Sequence, residues 1–287
     1  MTTAVDLARV LARRSFIELT ARERARALLE PEGQRELLGP FDRLHSRWLE
    51  VQGVVPQEDD GVVVLRGRID GHPAVAIAIE SAFQGGSTGE IAGAKIAATL
   101  DLVLRDHGRG VPIWPVLLLE TGGVRLQEAN LGLAAIAEIH AAIVALRRHV
   151  PVVAVVAGMV GCFGGMSLAA ALCTHVVMTR QARLGMNGPE VIEQEAGIEE
   201  LDASDRALIW QLIGGEQRHA VGLADRLVED DADEIRGAVR DAFLRGVPAE
   251  HRSERVEEFL ARIAAIDPAD PPDPASLRRR WPGGGRR

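Results

Sequence analysis

Two apolar runs each end in a glycine turn, and each turn opens into a helix-forming stretch. The first is Leu117-Leu118-Leu119-Glu120-Thr121-Gly122-Gly123-Val124-Arg125-Leu126-Gln127-Glu128. The second begins at Val152-Val153-Ala154-Val155-Val156-Ala157 and turns through Gly158-Met159-Val160-Gly161-Cys162-Phe163-Gly164-Gly165-Met166. A short β-rich run, a turn and a helix, repeated, commit the chain to a layered α/β fold. Without a Cβ, glycine lets the backbone turn sharply and lets another molecule approach the main chain. Two such turns could aim two N–H groups at one oxygen, which is the geometry of an oxyanion hole.

The same alternation runs through most of the chain. Residues 1–50 read as a helical segment: Thr20 with Glu23 has capping-box spacing, Ala21–Leu29 is built of good helix formers, and Pro31-Glu32-Gly33 breaks it. From Gly61 the pattern changes to short apolar runs, Val62–Leu65 and Ala74–Ile79, with Asp70-Gly71 as a hairpin signal between them. Helices are expected at Glu90–Arg105, Gln127–Arg147 and Gly165–Leu172, and strands at Ile113–Leu119, Val152–Ala157 and Val176–Thr179. A helical stretch Ser204–Ile213 and a last helix Asp233–Leu244 follow. These define a main domain at 51–265. Residues 266–287, Pro- and Asp-rich and then Arg- and Gly-rich, read as a disordered tail.

Composition excludes several classes of function. A net charge of −8 with no long basic face argues against nucleic acid. Two cysteines, Cys162 and Cys173, give no disulfide framework and fit a reducing cytoplasm. The N-terminus, with Asp6, Arg9, Arg13 and Arg14, lacks a secretory apolar core. Val150–Thr174 carries no charge and is long enough to span a bilayer, yet Pro151, its glycines and its β-branched start favour strand, turn and buried helix. No membrane partner is expected.

Four stretches carry a family resemblance, in the family's order. They are Phe83-Gln84-Gly85-Gly86-Ser87-Thr88-Gly89, Thr121 to Glu128, Gly161-Cys162-Phe163-Gly164-Gly165, and Gly185-Met186-Asn187-Gly188-Pro189-Glu190-Val191-Ile192-Glu193-Gln194. Here the chain resembles the carboxyltransferase β subunits of the crotonase superfamily, and most of all the β subunits of biotin-independent malonate decarboxylases. Acetyl-CoA carboxylase β subunits usually carry Asp-Ser-Gly-Gly-Ala where this chain has Glu120-Thr121-Gly122-Gly123-Val124. Bacterial ones also carry a four-cysteine zinc ribbon, for which two cysteines do not suffice.

The resemblance implies a crotonase/ClpP-like fold, a repeated ββα superhelix, here with an N-terminal helical layer. It implies decarboxylation of a malonyl thioester carried on the CoA-like prosthetic group of an acyl carrier protein, with no cofactor bound by this chain and no metal. Implied partners are a homologous γ subunit, the acyl carrier protein subunit and a malonate-loading transferase subunit. By superfamily position, the amides of Val124 and Gly164 are the expected oxyanion donors, with Gly123 and Gly165 keeping the approach open. Gly122, Gly85, Gly86, Ser87, Phe163, Asn187, Gly188 and Pro189 are the expected substrate-binding positions, and Val124, Phe163 and Met166 suit apolar walls.

Other readings compete at single residues. Gly85-Gly86-Ser87-Thr88-Gly89 has nucleophile-elbow spacing, but no acid or histidine follows in a recognisable motif, and Ile79 ends its strand too early. Cys162, Cys173 and His175 fit no common metal spacing and read as core. Lys95, the single lysine, reads as a solvated helix position, and Arg125 with Glu128 as an ion pair holding the first glycine loop. Two alternatives to the decarboxylase remain: a carboxyltransferase β-type subunit passing the carboxyl group to biotin, and a non-catalytic structural subunit of such a complex.

Overall fold

Seven strands lie in one sheet in chain order: β1 Arg35–Leu37, β2 Val62–Ile69, β3 His72–Ile79, β4 Trp114–Leu118, β5 Val153–Val156, β6 His175–Thr179 and β7 Arg226–Val228. The computed structural model describes residues 12–281. The expected hairpin forms at Asp70-Gly71, where both residues are left-handed (φ 51° and 77°) and Ile69 pairs with His72. Two consecutive positive φ values match the twist of the flanking strands.

From β3 onward every neighbour is parallel, so each step needs a crossover. Helix α1 Ala21–Leu28 and the short α2 Trp48–Val51 precede the sheet's main part. The crossovers are α3 Glu90–Gly108, α4 Asn130–Leu146 and α5 Gly165–Leu172. Between β6 and β7 run α6 Pro189–Ala196, α7 Arg206–Ile213 and α8 Gly215–Ala220, and after β7 come α9 Ala232–Arg245, α10 Val256–Ala264 and α11 Pro274–Arg280.

Alternate side chains of each strand enter different cores. Val62, Val64, Ile77, Leu117, Ala154 and Met178 pack with Ile96, Ile139 and Met166 of α3, α4 and α5. Val63, Leu65, Ala76, Leu118, Val155 and Val177 pack with Leu28 of α1 and Ile235 of α9. This period of two is what a sheet covered on both faces requires.

Beyond the strands a second, minimal ladder forms from the bridges Thr88↔Val124, Thr121↔Cys162 and Cys162↔Leu184. Each turn of chain thus runs long strand, short bridging segment, helix. That is the ββα superhelix implied by the family resemblance. The charge-free stretch 150–174 resolves into β5, a loop and α5, and no helix among the described residues is long and apolar enough to cross a membrane.

Four expectations need correction. The N-terminal segment is not purely helical, because after the Pro31–Gly33 break Arg35–Leu37 pairs antiparallel with β2 as an edge strand. The helix expected over 127–147 is interrupted at Ala129 (φ 49°, ψ −126°), and the break turns Glu128 inward to Arg125. The segment 266–281 is not structureless: Asp273 caps α11, accepting from the Ser276 amide at 2.8 Å, and Gln217 donates to the Pro274 carbonyl. Residues 282–287, and 1–11 of the first segment, lie outside the described residues.

Lys95 is the fourth. It is buried, and its ammonium donates to the carbonyls of Leu38 (2.9 Å), Asp59 (2.7 Å) and Val62 (2.5 Å). It stitches α3 to the start of β2 and to the turn before it. Replacing it by methionine takes the donor from two buried acceptors and one partly buried one, and Lys95→Met is expected to lower the unfolding free energy by about 2–5 kcal/mol. An unchanged midpoint in urea would refute that role.

Candidate active site

Four loops meet where the strands end. They are residues 83–89 after β3, 121–129 after β4, 157–164 after β5 and 183–188 after β6. Main-chain bonds lace each to the next. The Gly122 amide donates to Gly85 (2.9 Å), Thr121 to Gly161 (2.8 Å), Phe163 to Thr121 (3.0 Å) and Cys162 to Arg183 (2.9 Å). Because the fixing groups are backbone, the loops hold their shape without side-chain chemistry.

The two glycine turns touch. Gly164 has φ 61° and ψ −147°, a region closed to residues with a Cβ. A Cβ there would stand 3.0 Å from Gly123 Cα and 3.8 Å from the Val124 nitrogen. Gly123 is likewise at φ 122°. The approach of the two turns therefore depends on glycine at both positions.

Which amides remain open follows from the hydrogen bonds. The Val124 N–H has no acceptor among the described residues, whereas its neighbours are engaged: Thr88 donates to Gly123 O (2.8 Å) and Arg125 donates to Thr88 O (2.9 Å). Gly164 departs from expectation. Its N–H donates to the Met186 carbonyl at 2.8 Å and is therefore already engaged within the protein. The next amide, Gly165, is the first residue of α5 and has no acceptor among the described residues. The second open donor is Gly165, not Gly164. Placed at a helix N-terminus, it also carries the partial positive charge of the helix.

The other expected site residues divide. Gly122, Gly85 and Asn187 are exposed on the loops, Gly86 is buried beneath them, and Gly188 and Pro189 begin α6. The Ser87 hydroxyl donates to the Gln84 carbonyl at 2.7 Å and is bonded to no histidine. Phe163 is no open wall: its ring is buried, within 3.2 Å of a Cβ built on Gly161 and 5.7 Å from the Arg183 guanidinium. Met166 is fully buried in the core. Of the expected apolar walls, only Val124 is half-open. Cys162 and Cys173 are both buried, and burial pushes the Cys173 thiol up to about 12.

Three buried ion pairs brace the loops. Arg125 pairs with Glu128 (3.1 Å), as expected, and also with Asp60 (2.9 Å), which the sequence did not suggest; its guanidinium donates to Ser87 O at 2.9 Å. Glu120 pairs with Arg24 of α1 and accepts the Val160 amide at 3.2 Å. Its carboxylate occupies the space a Cβ on Gly158 would need. The glutamate distinguishing this chain at position 120 thus ties the second glycine loop to the N-terminal helix.

Known proteins resemble the chain along most of its length. The carboxyl transferase domain family matches residues 17–282, across both expected domain boundaries. The chain is similar to one chain of a Pseudomonas malonate decarboxylase hetero-tetramer solved in complex with malonate, with a TM-score of 0.93 and 63% identity over 96% of this chain and 99% of that one. It is 41% identical over 233 residues to the malonyl-S-ACP:biotin-protein carboxyltransferase MADC of Malonomonas rubra, covering 78% of this chain and 73% of the relative. It is 33% identical over 215 residues to the methylmalonyl-CoA carboxyltransferase 12S subunit of Propionibacterium freudenreichii subsp. shermanii, of which it spans 38%.

Proposed function

The chain belongs to the carboxyl transferase domain family, and from that premise we propose that it is the malonate decarboxylase subunit in which a malonyl thioester loses carbon dioxide. It acts on malonyl groups, as the similarity to a malonate decarboxylase subunit and to a malonyl-S-ACP carboxyltransferase supports. The observation that carries the reading is the pair of unengaged amides, Val124 and Gly165, on two glycine turns in contact.

The chemistry needs little else. As the bond between the α-carbon and the carboxylate breaks, its electron pair moves into the thioester and the carbonyl oxygen becomes an oxyanion. Two fixed N–H donors aimed at that oxygen stabilise the charge as it develops and gain little from the neutral ground state. Carbon dioxide leaves as a neutral molecule, and the α-carbon then takes a proton to give the acetyl thioester. Seen as a reaction class, this is a carboxy-lyase.

The thioester is carried on the CoA-like arm of an acyl carrier protein, and a separate transferase subunit loads the malonate. A homologous γ subunit completes the cleft. The exposed apolar rim supports that partner: Leu126 is 83% exposed, Met159 52%, Met186 55% and Val191 50%. Such a rim around a site fits a subunit interface. The complex works in the cytoplasm.

The biotin-linked reading differs only in where the carboxyl group goes. The 63% identity to a malonate decarboxylase chain against 41% to the biotin-protein carboxyltransferase supports direct release. The test is carbon dioxide release from malonyl thioester by the chain purified with its partner and carrier subunits. Release undiminished by avidin is expected, whereas release abolished by avidin would favour transfer to biotin. No release in any combination would leave a structural subunit.

A further inference from the structure

A trans peptide group points its C=O and its N–H in opposite directions. The Gly165 N–H therefore belongs to the same rigid unit as the Gly164 carbonyl. That carbonyl accepts two bonds, from the Ser167 amide at 3.0 Å and from the Ser167 hydroxyl at 2.7 Å. The hydroxyl holds one end of the peptide whose other end is the open donor.

We propose that Ser167 is a positioning residue for decarboxylation, aiming and strengthening the Gly165 donor through the Gly164 carbonyl. The proposal rests on the enolate reading above. Helix α5 is Gly-Met-Ser-Leu-Ala-Ala-Ala-Leu, so Ser167 is its one hydroxyl, and it is buried among apolar neighbours. The helix start has no side-chain cap of the usual kind. Instead the hydroxyl reaches back to the residue before the helix, which leaves the outward amide free rather than capping it. A hydrogen bond at a carbonyl polarises the peptide and makes its N–H a better donor.

The surroundings hold the rest of the segment still. Gly164 is fixed through its own N–H by Met186, and the Gly165 carbonyl sits 2.8 Å from the His140 ring nitrogen on α4. The partner donor differs: the carbonyl of the peptide that carries the Val124 N–H is held at 2.8 Å by the backbone amide of Thr88. The Val124 donor is thus set by main chain, whereas the Gly165 donor is set by one main-chain amide together with one side-chain hydroxyl.

The test compares Ser167→Ala, Ser167→Cys and Ser167→Thr in the assembled complex, with malonyl thioester as substrate. Ser167→Ala is expected to lower kcat roughly tenfold, the worth of one hydrogen bond felt only in the transition state. KM should stay within about twofold, because the neutral carbonyl gains little from the donor. Ser167→Thr, which keeps a hydroxyl able to reach a carbonyl one turn back, should restore most of the rate. Ser167→Cys, nearly isosteric but a weak donor, should resemble alanine. An acetyl thioester analogue bearing a nitronate in place of the enolate should bind more weakly to the alanine variant by the same factor as kcat falls. Unchanged kcat, or a loss that threonine does not relieve and that appears in KM, would overturn the proposal. That failure is separable from failure of the enolate reading, which would appear as indifference to loss of the Gly165 N–H itself.

Discussion

Gly165→Pro in the assembled complex is expected to release carbon dioxide about 10²–10³ times more slowly than Gly165→Ala, a loss of about 2.7–4 kcal/mol in transition-state stabilisation. The comparison is with alanine because any side chain at 165 meets the same obstacle. A Cβ there would stand 2.6 Å from Ile136 Cγ2 and 2.8 Å from its Cδ1, so either variant must displace that buried β-branched side chain. Both variants share that contact, but only proline lacks the N–H. Proline is otherwise suited to the site, since Gly165 is the first residue of α5 and the first helical position needs no N–H for the helix itself. KM should change less than kcat, because the donor acts on charge that appears only as the bond breaks. Equal rates in the two variants would remove Gly165 from the mechanism and leave the Val124 amide without a partner. Gly164→Ala should also be slow, for a different reason: its Cβ would press on Gly123 Cα and force a left-handed backbone on a residue that resists it.

The order of strands and helices was legible because it rests on local signals. Asp70-Gly71 between two alternating runs specifies a hairpin, and the Thr20–Glu23 spacing forms the capping box it suggests, with Glu23 also accepting the Thr20 amide at 2.9 Å. The glycine turns marked the site for the same reason. Spacing reveals where a backbone must turn but not where each N–H points, so the choice of Gly164 over Gly165 as donor rested on the resemblance alone. The difference lies in the Met186 carbonyl, which comes from a loop that only the fold brings near. Lys95 was misread on the same principle: a lone lysine on an amphipathic helix reads as solvated, and its acceptors Leu38, Asp59 and Val62 lie at least 33 residues away. Helix α11 had a local signal, Asp273 before Pro274 as cap and first residue, hidden by the prolines around it.

Removing the positive centre of the buried triad, Arg125→Met, is expected to cost about 3–5 kcal/mol of folding stability, because two carboxylates are left without their counter-charge. Arg125 is 1% exposed, Asp60 0% and Glu128 3%, so water cannot take over. The carboxylates have some help: Asp60 accepts the Ala92 amide at 2.8 Å and Glu128 accepts that of Glu90, both in the first turn of α3. Those bonds do not replace a full charge. Burial already pushes the Asp60 carboxyl upward while Arg125 draws it down, so losing the arginine moves that carboxyl further up. A carboxyl raised in the fold binds more protons there than in the unfolded chain, so stability rises as pH falls through its folded pKa towards the unfolded value. The deficit of Arg125→Met against the parent, read from urea midpoints, should therefore shrink as pH is lowered from 8 towards the ordinary carboxyl range. Adding Asp60→Asn and Glu128→Gln should recover much of the loss at pH 8, since the polar isosteres carry no charge to desolvate. A pH-independent deficit would mean that Arg125 matters as packing beside Phe83, whose ring centroid lies 5.0 Å away, rather than as the charge that holds the first glycine loop in place.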